Sequence, residues 1–206
     1  MTARGPYPPI EAHGVVGDLQ TAALVATDGT VDFLCLPRFD SPSVFASLLD
    51  CERGGRFELR PELADARHRQ LYLPDTNVLL TRFLAPQGVA EISDFMPVHA
   101  ELHPSRVVRR VKTVRGQVRY QVRCAPRFGY ALTAHRAEAV EGGVLFTSDD
   151  GLVLRLSTPV PLEVEEGDAD GTDGDSDGTD ADGTDGDGTD GTDGDGSDAD
   201  ADGADS

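Results

Sequence analysis

The sequence predicts an all-β protein, a single antiparallel β-sandwich with one short helix, followed by a disordered acidic tail. Apolar residues recur at every second position through much of residues 1–166, which is the period of a half-buried strand. Turn signals separate these runs at close spacing, as in sandwiches. At Gly167 the composition changes abruptly, because every later residue is Gly, Asp, Ala, Thr or Ser. We therefore predict a folded domain over residues 1–166 and a tail over residues 167–206.

The predicted strands follow one another along the folded domain. Thr21–Val25 and Val31–Leu36 flank Asp28-Gly29-Thr30, whose glycine can adopt a positive φ, so this segment is a predicted hairpin. A second turn is predicted at Arg115-Gly116, and residues 119–124 after it alternate strictly, with one face in a core. The other predicted strands are Arg56–Leu59, Asn77–Leu84, Val89–Phe95, Ser105–Val114, Gln117–Cys124, Val144–Thr147 and Leu152–Leu156.

One short helix is predicted over residues 43–49. Ser41 can cap it, and Pro42 suits the first helical position. Val44, Phe45, Leu48 and Leu49 would form its apolar face, and Gly54 would end it.

The tail has the composition of a disordered segment. It holds 16 Asp in 40 residues and no Lys or Arg, so it has little to bury against the entropy of ordering, and its like charges repel. We expect no fixed structure, few contacts with the folded domain and only diffuse cation binding. Together with 17 Arg against a single Lys, the tail is typical of halophilic proteins, although high genomic G+C produces the same arginine bias.

Charge and hydropathy exclude several classes of partner. The formal net charge is −19, but residues 1–166 hold 21 acidic against 18 basic residues, so the folded domain is nearly neutral. Without a basic stripe, nucleic acid is not expected as a partner. With no apolar run of membrane-spanning length and no signal-peptide core, we expect no membrane association and a cytoplasmic location.

Metal and cofactor sites are not expected. His99 and His103 have the i, i+4 spacing of a zinc pair, but Pro97 and Pro104 bracket them too tightly for a stable helix. The three cysteines are far apart and form no C-x-x-C pair, which favours buried thiols. The sequence also contains no G-x-S-x-G, P-loop or H-E-x-x-H motif.

Several segments occur in the order found in one glycoside hydrolase family. The run from Tyr7 through Gly17-Asp18-Leu19-Gln20-Thr21 to Pro37-Arg38-Phe39-Asp40-Ser41-Pro42 closely resembles the opening of family 15, the glucoamylase and trehalase group. Glu91–Pro97, Pro126–Tyr130 and Gly151–Leu162 agree with it. The resemblance implies a trehalase-like N-terminal domain with an antiparallel supersandwich fold. In that family an (α/α)6 barrel follows and carries two catalytic Glu residues, acid and base. No residue here matches either one, so no hydrolysis is expected from this chain alone. The pattern ends near Glu163, so we expect the last sandwich strands to be lacking.

Two segments of the matched motif are candidates for contact with a substrate or with the barrel. Arg38, Phe39 and Asp40 lie at a predicted strand-to-helix junction, and Gly17 and Asp18 form a predicted turn. For both segments the alternative is local structure, with capping and ion pairing in the first and hydrogen bonding within the turn in the second. No catalytic residue is assigned.

Three functions stay open at this point. The chain is a non-catalytic module truncated before the catalytic barrel, an accessory subunit that docks on a separately encoded barrel, or a stand-alone carbohydrate-binding module. Self-association is expected if missing strands leave an open sheet edge. The absence of Trp weakens the carbohydrate-binding hypothesis, because sugar rings stack on exposed aromatic side chains.

Overall fold

A computed structural model describes residues 7–98, 104–165 and 167–178, and for residues 172–178 it describes the backbone only. It confirms the all-β, antiparallel prediction. A 3₁₀ turn at Ile10–Ala12 precedes the first strand, and the described residues form fourteen strands. These are β1 (His13–Gly17), β2 (Ala22–Ala26), β3 (Thr30–Cys35), β4 (Ser43–Phe45), β5 (Arg56–Pro61), β6 (Arg67–Tyr72), β7 (Leu79–Ala85), β8 (Gly88–Phe95), β9 (Val108–Ala125), β10 (His135–Val140), β11 (Gly143–Ser148), β12 (Val153–Ser157), β13 (Glu163–Glu165) and β14 (Asp168–Gly178).

The larger sheet curls until its two ends almost meet. Its strands follow the order β1-β2-β3-β5-β9-β8-β7-β6, with β4 paired to β3 and with β14 paired to β9 and β13. The gap between the end strands is bridged by Tyr72, whose hydroxyl accepts from Val15 N–H and donates to Val15 C=O, both at 2.9 Å. Backbone groups of β1 that would otherwise lie at an open edge are thereby satisfied.

A second sheet, β10-β11-β12, covers part of the first. Val144 and Phe146 of β11 are fully buried in one core with Val16, Val25 and Val31 of the larger sheet. A second core lies inside the curl of the larger sheet, and its members are Leu59, Phe83, Ala90, Ile92, Val118 and Tyr120. Among the described residues, no helix is long and apolar enough to cross a membrane.

The turn predicted at Arg115-Gly116 is a bend within a single strand. β9 runs through it, pairing with β8 before Gly116 and with β5 after it. Gly116 has a φ of +75°, and a Cβ there would lie 2.4 Å from Gln87 C=O. Glycine therefore lets one long strand change partners without breaking.

The helix predicted over residues 43–49 is wrong. Ser43–Phe45 forms strand β4, in which Phe45 pairs with Leu34 of β3. On its other edge, Val44 C=O accepts from Arg127 N–H at 2.9 Å. Tertiary pairing supplies the backbone partners that a helix would have supplied, and it overrides the local signal. The helix of the structure, α1 (Phe128–Ala131), is a four-residue turn whose Gly129 and Tyr130 have left-handed backbone angles.

The prediction that the tail makes few contacts from Gly167 onward is also wrong for its first residues. Asp168–Gly178 forms β14, which pairs with β9 from Cys124 to Gly116. Ala169 is fully buried, and Asp168 binds Arg127 at 2.6 Å and Arg123 at 3.3 Å. Composition alone predicts that these residues stay in solvent. Instead, Arg123 and Arg127 offset the charge of Asp168, and β9 supplies hydrogen-bond partners for the backbone. The prediction for residues 179–206 falls outside the described residues.

A buried ion pair connects three parts of the larger sheet. Arg109 of β9 and Asp94 of β8 are cross-strand neighbours, and Nε donates to Oδ1 at 2.8 Å. The same guanidinium donates to Phe57 C=O at 3.0 Å and to Gly29 C=O, and it lies 4.8 Å from the centre of the Phe57 ring. Both charged side chains are almost completely shielded from solvent.

We expect Arg109→Leu to lower the free energy of unfolding by about 3 to 5 kcal/mol, because Asp94 would stay buried without a counter-charge. Arg110→Leu, at the exposed neighbouring position, should change it by less than about 0.5 kcal/mol. Urea unfolding of both variants measures the difference. Equal effects would show that the pair is energetically unimportant.

Candidate docking surface

The first part of the candidate surface is the tight turn between β1 and β2. Asp18 lies inside this turn, and its Oδ1 accepts hydrogen bonds from Gln20 N–H at 3.0 Å and from Thr21 N–H at 2.9 Å. Thr21 Oγ1 in turn donates to Cys35 C=O of β3 at 2.6 Å. Leu19 at the tip has a φ of +74° and is 83% exposed. The turn is rigid because its polar groups are satisfied, yet it presents an apolar side chain to solvent.

The Asp18 carboxylate is held in its charged form. Burial alone raises its pKa, but hydrogen bonds from the Ser105 hydroxyl and from the backbone N–H groups of Thr21 and Gln20 outweigh burial and lower that pKa. Asp18 therefore stabilises the turn as a fixed anion. Its Oδ1 already accepts from two backbone N–H groups of its own turn.

The second part is the loop between β3 and β4, which contains the candidate residues Arg38, Phe39 and Asp40. Ser41 Oγ accepts from Arg38 N–H at 3.1 Å, so the predicted helix cap closes a local turn instead. Arg38 and Asp40 form an exposed ion pair at 3.1 Å. Phe39 N–H donates to Gln20 C=O at 3.0 Å, which connects this loop to the first turn, while Phe39 as a whole is 64% exposed.

The third part is the left-handed turn α1, which lies beside the same loop. Tyr130 N–H donates to Ser43 Oγ at 3.0 Å, and Phe128 is fully buried below it. Pro37, Ser41 and Gly129 line a shared groove of about 280 Å³ between the loop and α1. Leu132, just after α1, is 88% exposed. Left-handed backbone at Tyr130 costs free energy, and the packing of Phe128 and the Ser43 hydrogen bond hold it in place.

The structure thus brings both candidate segments together at one end of the fold. It directly connects Gly17 and Asp18 with Arg38, Phe39 and Asp40 through the Phe39–Gln20 hydrogen bond. We call the docking end the surface formed by residues 17–21, 36–43 and 128–132. Its exposed large apolar side chains are Leu19, Phe39, Tyr130 and Leu132. Apolar groups held outward by ordered loops are typical of an interaction site.

Sequence reasoning missed Leu19, Tyr130 and Leu132 as members of this surface. Leu19 follows a turn aspartate, and no sequence pattern shows that its side chain points outward. Tyr130 and Leu132 come from a distant segment that only the tertiary fold places beside Ser43. The Pro126–Tyr130 motif is the one signal that marked their vicinity.

The two candidate carboxylates of the docking end already have local partners. Asp40 is paired with Arg38, and Asp18 is bonded within its turn. Over the described parts of the chain, no three His, Cys, Asp or Glu side chains lie close enough to hold a metal ion. His99 and His103, where the sequence predicts no zinc site, lie outside the residues that the structure describes. His13 Nε2 and Asp32 Oδ2 form a second ion pair at 2.7 Å, with both side chains largely shielded from solvent.

Comparison with known proteins identifies the fold's relatives. The family model "Trehalase-like, N-terminal" matches residues 4–174. The chain belongs to this trehalase-like N-terminal family. The trehalase of Thermoplasma volcanium is 35% identical over 72% of this chain and 24% of its own length. The trehalase of Mycolicibacterium smegmatis is 35% identical over 67% of this chain and 22% of its own length. The trehalase of Mycobacterium tuberculosis is 30% identical over 81% of this chain and 28% of its own length. No solved structure gives a significant match.

The family match confirms the resemblance drawn from the sequence and corrects its end point. We placed the end of the family pattern near Glu163, whereas the match continues to residue 174, well into β14. The acidic residues after Gly167 therefore supply a strand of the domain itself, which we had expected to be lacking. The chain spans about a quarter of the length of the trehalases it matches.

We expect Asp18→Asn to lower the free energy of unfolding by about 1 to 2 kcal/mol at neutral pH, because an amide replaces a charged acceptor. The folded state lowers the pKa of Asp18, so its contribution is present above the unfolded value of about 3.9 and is lost as pH falls through the folded value. Urea unfolding should show the difference between the variant and the parent shrinking as pH falls below about 3.9. Asp149→Asn, in an exposed turn, is the control, and a pH-independent loss in Asp18→Asn would contradict this role.

Proposed function

We propose that this chain is a non-catalytic N-terminal module of a family 15 glycoside hydrolase and that its docking end packs against the catalytic (α/α)6 barrel. The observation that carries this proposal is the set of four exposed apolar side chains on loops that hydrogen bonds connect, in a chain whose named relatives are trehalases about four times its length. The hydrolysed bond would then be that of trehalose or a similar α-glucoside, and the catalytic acid and base would belong to the barrel. We place this module in the cytoplasm.

Hydrophobic burial is the driving force that this surface offers. Phe39 and Leu132 are mostly exposed, and covering such side chains is worth about 1.5 to 3 kcal/mol each. The loops lose little entropy on binding, because Asp18, Ser41 and Ser43 already fix their backbone. The exposed Arg38–Asp40 pair lies at the rim, where charges contribute to specificity more than to affinity.

Two alternatives use the same domain differently. As an accessory subunit, the chain would dock on a barrel encoded separately, and the docking end would make the same contacts. As a stand-alone carbohydrate-binding module, it would bind trehalose or maltose without a barrel, by stacking sugar rings on Phe39 or Tyr130. Titration calorimetry of the chain alone with these sugars separates the second alternative from the other two.

We expect co-expression to reconstitute activity. The full chain would be co-expressed with the part of the Thermoplasma volcanium trehalase that lies outside the matched region, using that trehalase's own matched region as the positive control. Trehalose hydrolysis should require both parts. A combined Leu19→Asp and Phe39→Asp variant should weaken the complex at least about tenfold, equivalent to about 1.4 kcal/mol.

Ile10→Asp is the matched control, since Ile10 is 85% exposed and precedes the opposite end of β1. It should leave complex formation unchanged. The proposal fails if the positive control assembles and this chain does not. It also fails if the chain alone hydrolyses trehalose and a carboxylate substitution within residues 1–166 abolishes that turnover.

A further inference from the structure

The strand register collects positive charge on one face of the larger sheet. Arg69, Arg82, Glu91 and Lys112 are successive cross-strand partners on β6, β7, β8 and β9, so they form one row. Arg67 and Arg110 lie on the same face, two positions from this row and on opposite sides of it. We call these six residues the basic face. They come from four separate stretches of a nearly neutral domain, which is why the sequence shows no basic stripe.

The basic face carries more positive charge than its own carboxylate can offset. Glu91 is the one acidic residue among the six, and it accepts from Arg82 Nε at 2.7 Å. Within residues 7–98, 104–165 and 167–178, Arg67, Arg69, Arg110 and Lys112 form no ion pair. Arg67 and Arg69 on β6 are separated from Arg110 and Lys112 on β9 by β7 and β8, so an anionic segment laid across the four strands would contact both pairs of cations.

The chain carries such a segment, and β14 delivers it to this part of the molecule. β14 ends at Gly178, which pairs with Gly116 of β9. Lys112 is four residues from Gly116 along the same strand, about 13 Å at the rise of a β-strand. Residues 179–206 contain eleven Asp and no Lys or Arg. These 28 residues can span up to about 90 Å, so they can reach all four strands.

From charge complementarity, chain length and the position of Gly178, we propose that the acidic residues 179–206 bind the basic face of their own chain. Each contact joins exposed groups and is individually weak. The covalent connection through β14 makes the contacts intramolecular, which raises the effective concentration of the acidic segment. At low salt the bound segment covers the face and keeps other polyanions from binding there. High salt screens the contacts and uncovers the face.

The single lysine of the chain makes a direct test possible. A carbodiimide joins an amine to a carboxylate only when the two are in contact, and Lys112 is the one side-chain amine. Treating the full chain and mapping the products by mass spectrometry should show Lys112 joined to Asp residues within 179–206. The products should be monomeric, and their yield should not change as the protein is diluted. Molar salt should lower the yield about tenfold.

Variants make the test specific to the face. Arg67→Gln, Arg69→Gln and Arg110→Gln combined should lower the yield several-fold while Lys112 itself is unchanged. A matched variant with Arg53→Gln, Arg136→Gln and Arg155→Gln removes equal charge from exposed positions elsewhere and should leave the yield unchanged. Products joining Lys112 only to Glu91 would overturn the proposal. Dimeric products that disappear on dilution would overturn it too, because they would assign the contact to a second copy.

Discussion

The buried contact between Arg109 and Asp94 is the interaction on which the larger sheet depends. An isolated charge in a core is very costly, and here one guanidinium meets a carboxylate, two carbonyl groups and an aromatic face. Those partners belong to β8, to β5 and to the turn between β2 and β3. Gly29 can present its carbonyl there because its φ is +86° and a Cβ would lie 2.6 Å from Leu59 C=O. The pair thus fixes the position of β9 relative to β8, β5 and the β2–β3 turn, and β9 pairs with both β5 and β14.

The sequence predicted the elements whose signals are local. The β2–β3 hairpin follows from Asp28-Gly29-Thr30, where Asp28 Oδ1 accepts from Thr30 N–H at 3.0 Å. Strand β8 is predicted over Val89–Phe95, and in the structure its positions alternate strictly between buried and half-buried. Local sequence signals are misleading where distant contacts decide the conformation. Ser43–Phe45 is a strand because β3 and Arg127 provide hydrogen-bond partners for its backbone. Asp168–Gly178 is a strand because it pairs with the edge of β9. Arg123 and Arg127 offset the charge of Asp168 at its start.

The candidate site was predictable in the same partial way. The family resemblance marked Gly17-Asp18 and Arg38-Phe39-Asp40, and the structure joins them through one backbone hydrogen bond between Phe39 and Gln20. The exposed side chains of Tyr130 and Leu132 belong to the same end only through tertiary contacts. The basic face has no linear signal at all, since register alone aligns Arg69, Arg82 and Lys112. One domain therefore presents two surfaces of different chemistry, an apolar end formed by loops and a cationic sheet face.

The two surfaces divide the functions that we propose for the module, and their separation can be measured. Amide hydrogen exchange of the full chain, free and mixed with a family 15 barrel, reports which backbone groups the barrel covers. Protection concentrated at residues 17–21, 36–43 and 128–132, with β6 to β9 unchanged, is the result expected if the docking end meets the barrel. A stable complex in which these loops exchange as fast as in the free chain would contradict that assignment.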